Sequence, residues 1–254
     1  MTDNEVMDAV NRHHWYVHDK GYEVVMTVLI GSNNYDLDTP ESDIDTFSFV
    51  MPTLDDLSFY REAASGEFEV EDGKCMYKDI RLALNLLKKT SPNSIECFVG
   101  KYRVYGLRYR SILEKYLEND DIMNKMVHCN YSHMLYAMAG MSHQLTKRNM
   151  PAGKRYSHAL RLLSMADVFV NSIDHRYLLK LLPRDYDEAF NAKRDQRELE
   201  YYNSGCVFVS SQLDKLRDEF ELTPWKRNIE KEGLALIEQF QRELITRFLK
   251  EELI

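Results

Sequence analysis

Two aspartates set two residues apart, Asp43 and Asp45, are the strongest chemical feature of the sequence. On a strand, residues i and i+2 face the same way. Two carboxylates side by side repel unless a cation lies between them. An all-oxygen pair of this kind suits Mg²⁺ or Mn²⁺, which bind one or two carboxylates and complete their shell with substrate phosphates. Upstream stands Gly31-Ser32, at the end of an apolar run. Glycine lets the backbone approach a ligand closely, and exposed N–H groups with the serine hydroxyl can cradle a terminal phosphate. Together these parts read as a triphosphate site. Amides grip the β- and γ-phosphates while metal bridges the phosphates to the carboxylates. The α–β bond then breaks, pyrophosphate leaves, and a second metal activates an incoming hydroxyl in line.

A second group of residues could meet the same ligand from the other side. Lys154, His158 and Arg161 fall at i, i+4 and i+7, on one face of a helix, while Tyr156, Leu160 and Leu163 point elsewhere and can pack. A basic stripe beside a metal site could bind the triphosphate or stabilise charge developing on it. The charge map supports the pairing. Residues 36–79 hold 13 acids and three bases, whereas residues 122–166 hold six bases, four histidines and no acid. An acidic segment and a basic one in the same chain suggest metal on one wall and phosphate on the other.

The elements that must position these residues change character near residue 112. Glu5 to Lys20 reads as a helix with Val6, Val10 and Trp15 on one side. Gly21 ends it, and Val24 to Ile30 reads as a buried strand. A polar loop over 33–42 leads to a second strand over 44–51, and a third is expected over 74–80. A helix over 81–89 stops before Ser91-Pro92. Strands mixed with helices predict an α+β arrangement. From Ile112 the apolar spacing is helical throughout, over 112–118, 122–147, 154–172, 175–182, 185–219 and 225–252. The expected division is therefore an α+β catalytic half, 1–112, and an all-helical half, 113–254. In the last helix Ile229, Leu236, Phe240, Leu244 and Phe248 form a stripe that reads as core or as a partner-helix interface through which the chain could form a homo-oligomer.

Composition narrows the function classes. With 41 acids against 33 bases the net charge is −8, which disfavours a broad duplex-DNA surface but not a local basic pocket. No run of about 18 apolar residues exists, so no membrane span is expected. The acidic, polar start at Met1 to Glu5 does not resemble a secretory leader. Four cysteines, Cys75, Cys97, Cys129 and Cys206, lack any CxxC spacing and read as reduced thiols of a cytoplasmic protein. The acid-rich loop fails as a calcium hand, because Glu41 and Phe47 stand where that loop needs its glycine and its bidentate glutamate.

The run Gly31-Ser32-Asn33-Asn34-Tyr35-Asp36-Leu37-Asp38-Thr39-Pro40-Glu41-Ser42-Asp43-Ile44-Asp45 resembles the hallmark of the polymerase-β-like nucleotidyltransferase superfamily, a glycine–serine turn followed by an Asp-x-Asp strand. Its wording is similar to a bacterial and phage group of predicted nucleotidyltransferases associated with RNA repair. Asp79-Ile80-Arg81, the run Ser91-Pro92-Asn93-x-x-Glu96 and the basic helix from Lys154 to Leu163 also resemble that group. The resemblance covers residues 20–165.

It implies a mixed sheet with flanking helices, followed by a helical domain that closes over the nucleotide. Gly31 and Ser32 would hold the triphosphate, and Asp43 and Asp45 would ligate Mg²⁺ or Mn²⁺. A third carboxylate on a neighbouring strand is also implied, and Asp79 is the choice, with Asp72, Glu71 and Glu69 as rivals. Asn33-Asn34 departs from members that carry a basic or small residue after the turn, so phosphate binding should lean on Lys154, His158 and Arg161. The expected activity is transfer of a nucleoside monophosphate from an NTP such as ATP to a hydroxyl of an RNA end, a protein or a small molecule. The alternative is a non-catalytic nucleotide sensor or interaction module on the same fold.

Overall fold

The computed structural model describes residues 2–39, 42–59, 61–195 and 200–252. Helix α1 (Asp3–Asp19) opens on a reciprocal cap, in which Thr2 accepts from the Glu5 amide and Glu5 accepts from the Thr2 amide. It buries Val6, Ala9, Val10, His13, His14 and Val17. Trp15 is 52% exposed, so the predicted alignment of Trp15 with Val6 and Val10 does not hold. Strand β1 (Val24–Ile30) is apolar at nearly every position because it lies inside the sheet and is covered on both faces. A short 3₁₀ turn over Ser32–Tyr35 follows. Next come β2 (Asp45–Val50), the short helix α2 (Leu54–Ser58), β3 (Ser65–Val70) and β4 (Gly73–Asp79). Helices α3 (Ile80–Lys88) and α4 (Pro92–Val99) and the short strand β5 (Arg103–Tyr105) complete the first half.

The five strands are ordered β3-β4-β2-β1-β5. Among the described residues only β2 and β4 run parallel, with Thr46 opposite Cys75 and Val50 opposite Asp79. The sheet is thus mixed, as expected, although β3, β5 and α4 were not legible beforehand. Its two faces differ sharply. Towards α1 it presents small hydroxyls, with His13 on Thr46 at 2.9 Å, His14 on Thr27 at 3.1 Å and Thr27 on Ser48 at 2.8 Å. The opposite face carries Asp45, Phe47 and Phe49 in alternation.

The second half is helical: α5 (Arg110–Leu117), α6 (Asp120–Val127), α7 (Tyr131–Leu145), α8 (Ala152–Asn171), α9 (Pro183–Arg194), α10 (Glu200–Glu219) and α11 (Pro224–Glu252). The single helix expected over 122–147 is two, because the Asn130 side chain caps a fresh start by accepting from the His133 amide. The segment 175–182 forms only a 3₁₀ turn over His175–Tyr177. The helix expected over 185–219 is interrupted at Asp195, and residues 196–199 lie outside the described residues. The α11 stripe is core, as read: Phe240, Leu244 and Phe248 are buried, and the helix packs on α3, α5 and α6 of the same chain. One continuous apolar cluster runs from Val25 in the sheet to Phe248 in α11. Among the described residues no helix is long and apolar enough to cross a membrane.

Candidate functional site

Gly31 closes β1 with φ +93°, a conformation that side-chain-bearing residues rarely adopt, and so turns the chain abruptly into the 3₁₀ segment. Its N–H donates to Oε1 of the buried Glu96 at 2.5 Å. Asn34 Nδ2 reaches the same oxygen at 3.3 Å and the Leu29 carbonyl at 2.8 Å. The turn is therefore fastened to α4 by a carboxylate. Glu96 was legible only as part of the run Ser91-Pro92-Asn93-x-x-Glu96, with no role attached. Further on, the Ser42 hydroxyl accepts from the Thr39 amide at 2.8 Å and lies 3.4 Å from the Ser32 hydroxyl, so both ends of the loop meet at one serine.

Beside this turn lies a cleft of about 700 Å³. Gly31, Ser32, Asp43 and Asp45 form one wall, and Lys154, Arg161, Lys193 and Arg194 form the other. Asp43 is exposed, and Asp45 is half-buried with Oδ1 accepting from the Lys74 amide at 3.1 Å. Burial, reinforced by the neighbouring Asp43, holds the Asp45 carboxyl above its ordinary pKa. Among the described residues neither aspartate has an ion-pair partner. A carboxylate pair under this strain is suited to a hard cation that finishes its shell with phosphate oxygens and water.

Asp79 does not join them. It pairs with Val50, at the far end of β2 from Asp45, about 16 Å away at ~3.3 Å per residue. There it caps α3 by accepting from the Arg81 amide at 2.8 Å and grips the Arg81 guanidinium at 2.6 Å. The tight Asp-x-Arg spacing that drew attention to it makes a helix start. Of its rivals, Asp72 is held by Arg12 at 2.6 Å and His13 at 2.7 Å on the opposite face. Glu71 is exposed in the turn between β3 and β4. Glu69 lies on β3, two strands from β2, where Lys74 pairs with it at 2.9 Å. On β4 itself, Met76 stands opposite Phe47 and Lys78 opposite Phe49, so the strand beside Asp45 offers no acid on that face. Among the described residues no trio of His, Cys, Asp or Glu is close enough to hold a metal ion.

The cationic wall holds more than the sequence showed. The predicted face of α8 is real, for Lys154, His158 and Arg161 all line the cleft. His158 is not a cation there. Burial first, then Arg161, Lys154, Lys193 and Arg148, push its pKa down to about 3, leaving a neutral imidazole among positive charges. The Arg161 guanidinium lies 4.2 Å from the ring centre of buried Tyr35, and its buried Nε has no hydrogen-bond partner among the described residues. Such an orphaned donor in a cluster of cations is suited to an anion. The α8 N-terminus opens on the same cleft at Pro151 and adds its positive dipole end. Lys193 and Arg194 of α9 complete the wall. Burial, with Lys154, Arg194 and Arg161 nearby, lowers the Lys193 ammonium to about 8 against the opposing pull of Asp38. Sequence reasoning missed both, because the acid-free window ended before them and α9 itself is rich in acids.

A mixed sheet carrying a glycine–serine turn and an Asp-x-Asp strand, faced by a cationic helical half, is an α+β fold of nucleotidyltransferase type. The chain belongs to the RlaP family, described as the RNA repair pathway DNA polymerase beta family, whose sequence profile matches residues 3–241. No curated protein matches it. Membership gives the chain a nucleotidyltransferase-type function, and polymerase-β-like nucleotidyltransferases generally use divalent metals.

Proposed function

We propose that the protein transfers a nucleoside monophosphate from an NTP to a hydroxyl acceptor and releases pyrophosphate. The observation that carries this reading is the facing of two charges across one cleft: the Asp43–Asp45 pair opposite Lys154, Arg161, Lys193 and Arg194. Asp43 and Asp45 would hold Mg²⁺ or Mn²⁺, which when bound supplies charge neutralisation at the phosphates. Ser32 and the amides after Gly31 orient the terminal phosphates, since the Gly31 N–H is already given to Glu96. Arg161 and Lys193 take up the negative charge that passes to the leaving pyrophosphate. Lys154 and the α8 amides add to that field, while His158, being neutral, offers a hydrogen bond without charge.

An RNA end is the acceptor we favour, because the family is one of RNA repair. Lys147, Arg148 and Lys154 are exposed along its approach. Arg155 is given over to fastening the turn before α8, through the Arg148 and Met150 carbonyls at 3.1 and 2.8 Å. Incubating the protein with each NTP, Mg²⁺ or Mn²⁺ and a pool of RNA, protein and small-molecule acceptors tests the reading. Labelled product that disappears in Asp45→Ala supports it, and no Asp45-dependent product refutes it. The second reading, a nucleotide sensor that does not turn over, is favoured by Met76 and Lys78 occupying the β4 face where a third acid is expected. Tight NTP binding without pyrophosphate release would select it.

A further inference from the structure

We propose that α9 is a strap that sets the position of the loop joining the phosphate turn to the acid pair, with Tyr186, Lys193 and Arg194 as its positioning residues. The proposal rests on the nucleotidyltransferase reading of the cleft for its consequence, but not for its geometry. Three consecutive loop carbonyls are taken by this one helix. The Tyr186 hydroxyl donates to Asp36 O at 3.0 Å, Lys193 Nζ to Leu37 O at 2.6 Å and Arg194 Nη2 to Asp38 O at 2.7 Å. The partners lie 150 or more residues apart in the chain, so the contact is a tertiary one. Asp36 sits in the left-handed region at φ +55°, a conformation that costs a non-glycine residue and persists only where surroundings enforce it.

The strap is itself anchored to the cationic wall. Gly153, in the first turn of α8, meets the end of α9 so closely that a Cβ there would lie 2.0 Å from the Ala192 carbonyl oxygen. Tyr156 of α8 donates to Glu188 of α9 at 2.8 Å. The loop carrying the acid pair is thereby referenced, through α9, to the helix carrying Lys154 and Arg161. Moving the strap would change the spacing between the acid pair and the α8 cations, Lys154 and Arg161, without altering any of those groups.

Tyr186 gives the cleanest test, because its hydroxyl touches the loop and the residue does not line the cleft. Tyr186→Phe keeps the ring against Phe190 and removes one bond. Mn²⁺ affinity, read by electron paramagnetic resonance without nucleotide, should fall about fivefold, as should kcat. KM for NTP, the affinity for inorganic tripolyphosphate without metal, and the melting temperature should stay at wild-type values. Lys193→Met should weaken both Mn²⁺ and tripolyphosphate binding, and Lys193→Arg should restore the Mn²⁺ affinity. Amide hydrogen exchange over 36–39 should quicken in Tyr186→Phe whether or not the protein proves to be an enzyme. That readout separates failure of the strap from failure of the functional reading. Unchanged exchange and unchanged Mn²⁺ affinity in Tyr186→Phe would overturn the proposal. So would an equal loss of tripolyphosphate binding and thermal stability, which would make Tyr186 a general prop of the fold.

Discussion

Replacing Arg161 by methionine should separate ligand binding from folding. In the free protein half-buried Arg161 lies in a cluster of positive charge with Lys154, Lys193 and Arg148, and among the described residues its Nε has no acceptor. Its favourable contact is the face of Tyr35, 4.2 Å away, worth about 0.5–1 kcal/mol where solvent still reaches the pair. Methionine preserves packing on that ring and removes one charge from a crowd of like charges. The melting temperature of the free protein should therefore hold or rise. Binding should respond in the opposite sense. A guanidinium hydrogen-bonded to phosphate contributes about 1.5–3 kcal/mol, so the affinity for tripolyphosphate should fall roughly 10- to 150-fold. Calorimetry with tripolyphosphate, paired with thermal melts of free and bound protein, reads both. The His158 imidazole is an internal witness. Because Arg161 heads the charges that hold it near 3, its titration by NMR should move up in the variant. If Arg161→Met melts the free protein several degrees lower and binds tripolyphosphate as wild type does, Arg161 is a structural residue. The cationic wall would then not be a phosphate site.

The other predictions concern the acids and Lys193. Asp45→Asn should abolish turnover while raising the melting temperature of the metal-free protein by a few degrees. The reason is that the raised Asp45 pKa means its charge costs the fold stability as pH rises through the folded value, and asparagine removes that cost. Adding Mn²⁺ should stabilise the wild type and leave this variant unmoved. Asp79→Asn should cost about 2 kcal/mol in denaturant melts, by weakening both the α3 cap and the Arg81 pair, yet leave Mn²⁺ affinity unchanged. Tripolyphosphate binding should weaken as pH rises past about 8, where free Lys193 loses its proton. Above that pH binding should take up a proton, which calorimetry in buffers of different ionisation enthalpy would detect.

The parts of this site that could be read in the sequence are those held within short spans. Gly31-Ser32 and Asp43-x-Asp45 are local patterns, and the strands that carry them announce themselves as β1 and β2 by apolar runs. The α8 face was equally plain from its spacing. The failures all involve contacts between distant segments. Asp79 ends a strand, as expected of a third ligand, but parallel pairing of β2 with β4 places it opposite Val50 rather than beside Asp45. No single-strand pattern encodes that register. His158 reads as basic by type and becomes neutral through burial first, then through Arg161 and Lys154 on its own helix and Lys193 and Arg148 brought from α9 and the turn before α8. Lys193 and Arg194 sit among the acids of α9 and gain meaning only through the loop they grasp. Strand β3 escaped notice because an edge strand needs few apolar residues, and its Glu67 and Glu69 face Lys74 instead.

The apolar cluster that runs unbroken from Val25 to Phe248 has a consequence for how the chain can be handled. A boundary at residue 112 marks a change of secondary structure, yet α11 lies on α3 and its final turns reach Arg108, whose guanidinium donates to the Phe248 carbonyl at 2.7 Å. Shortening the chain from its C-terminal end would strip α3 and α5 of their cover and expose Tyr116, whose ring stacks on Phe240. A truncated catalytic half should be sought as an aggregate, not as a minimal enzyme, and heating the whole chain should give one cooperative transition in place of two.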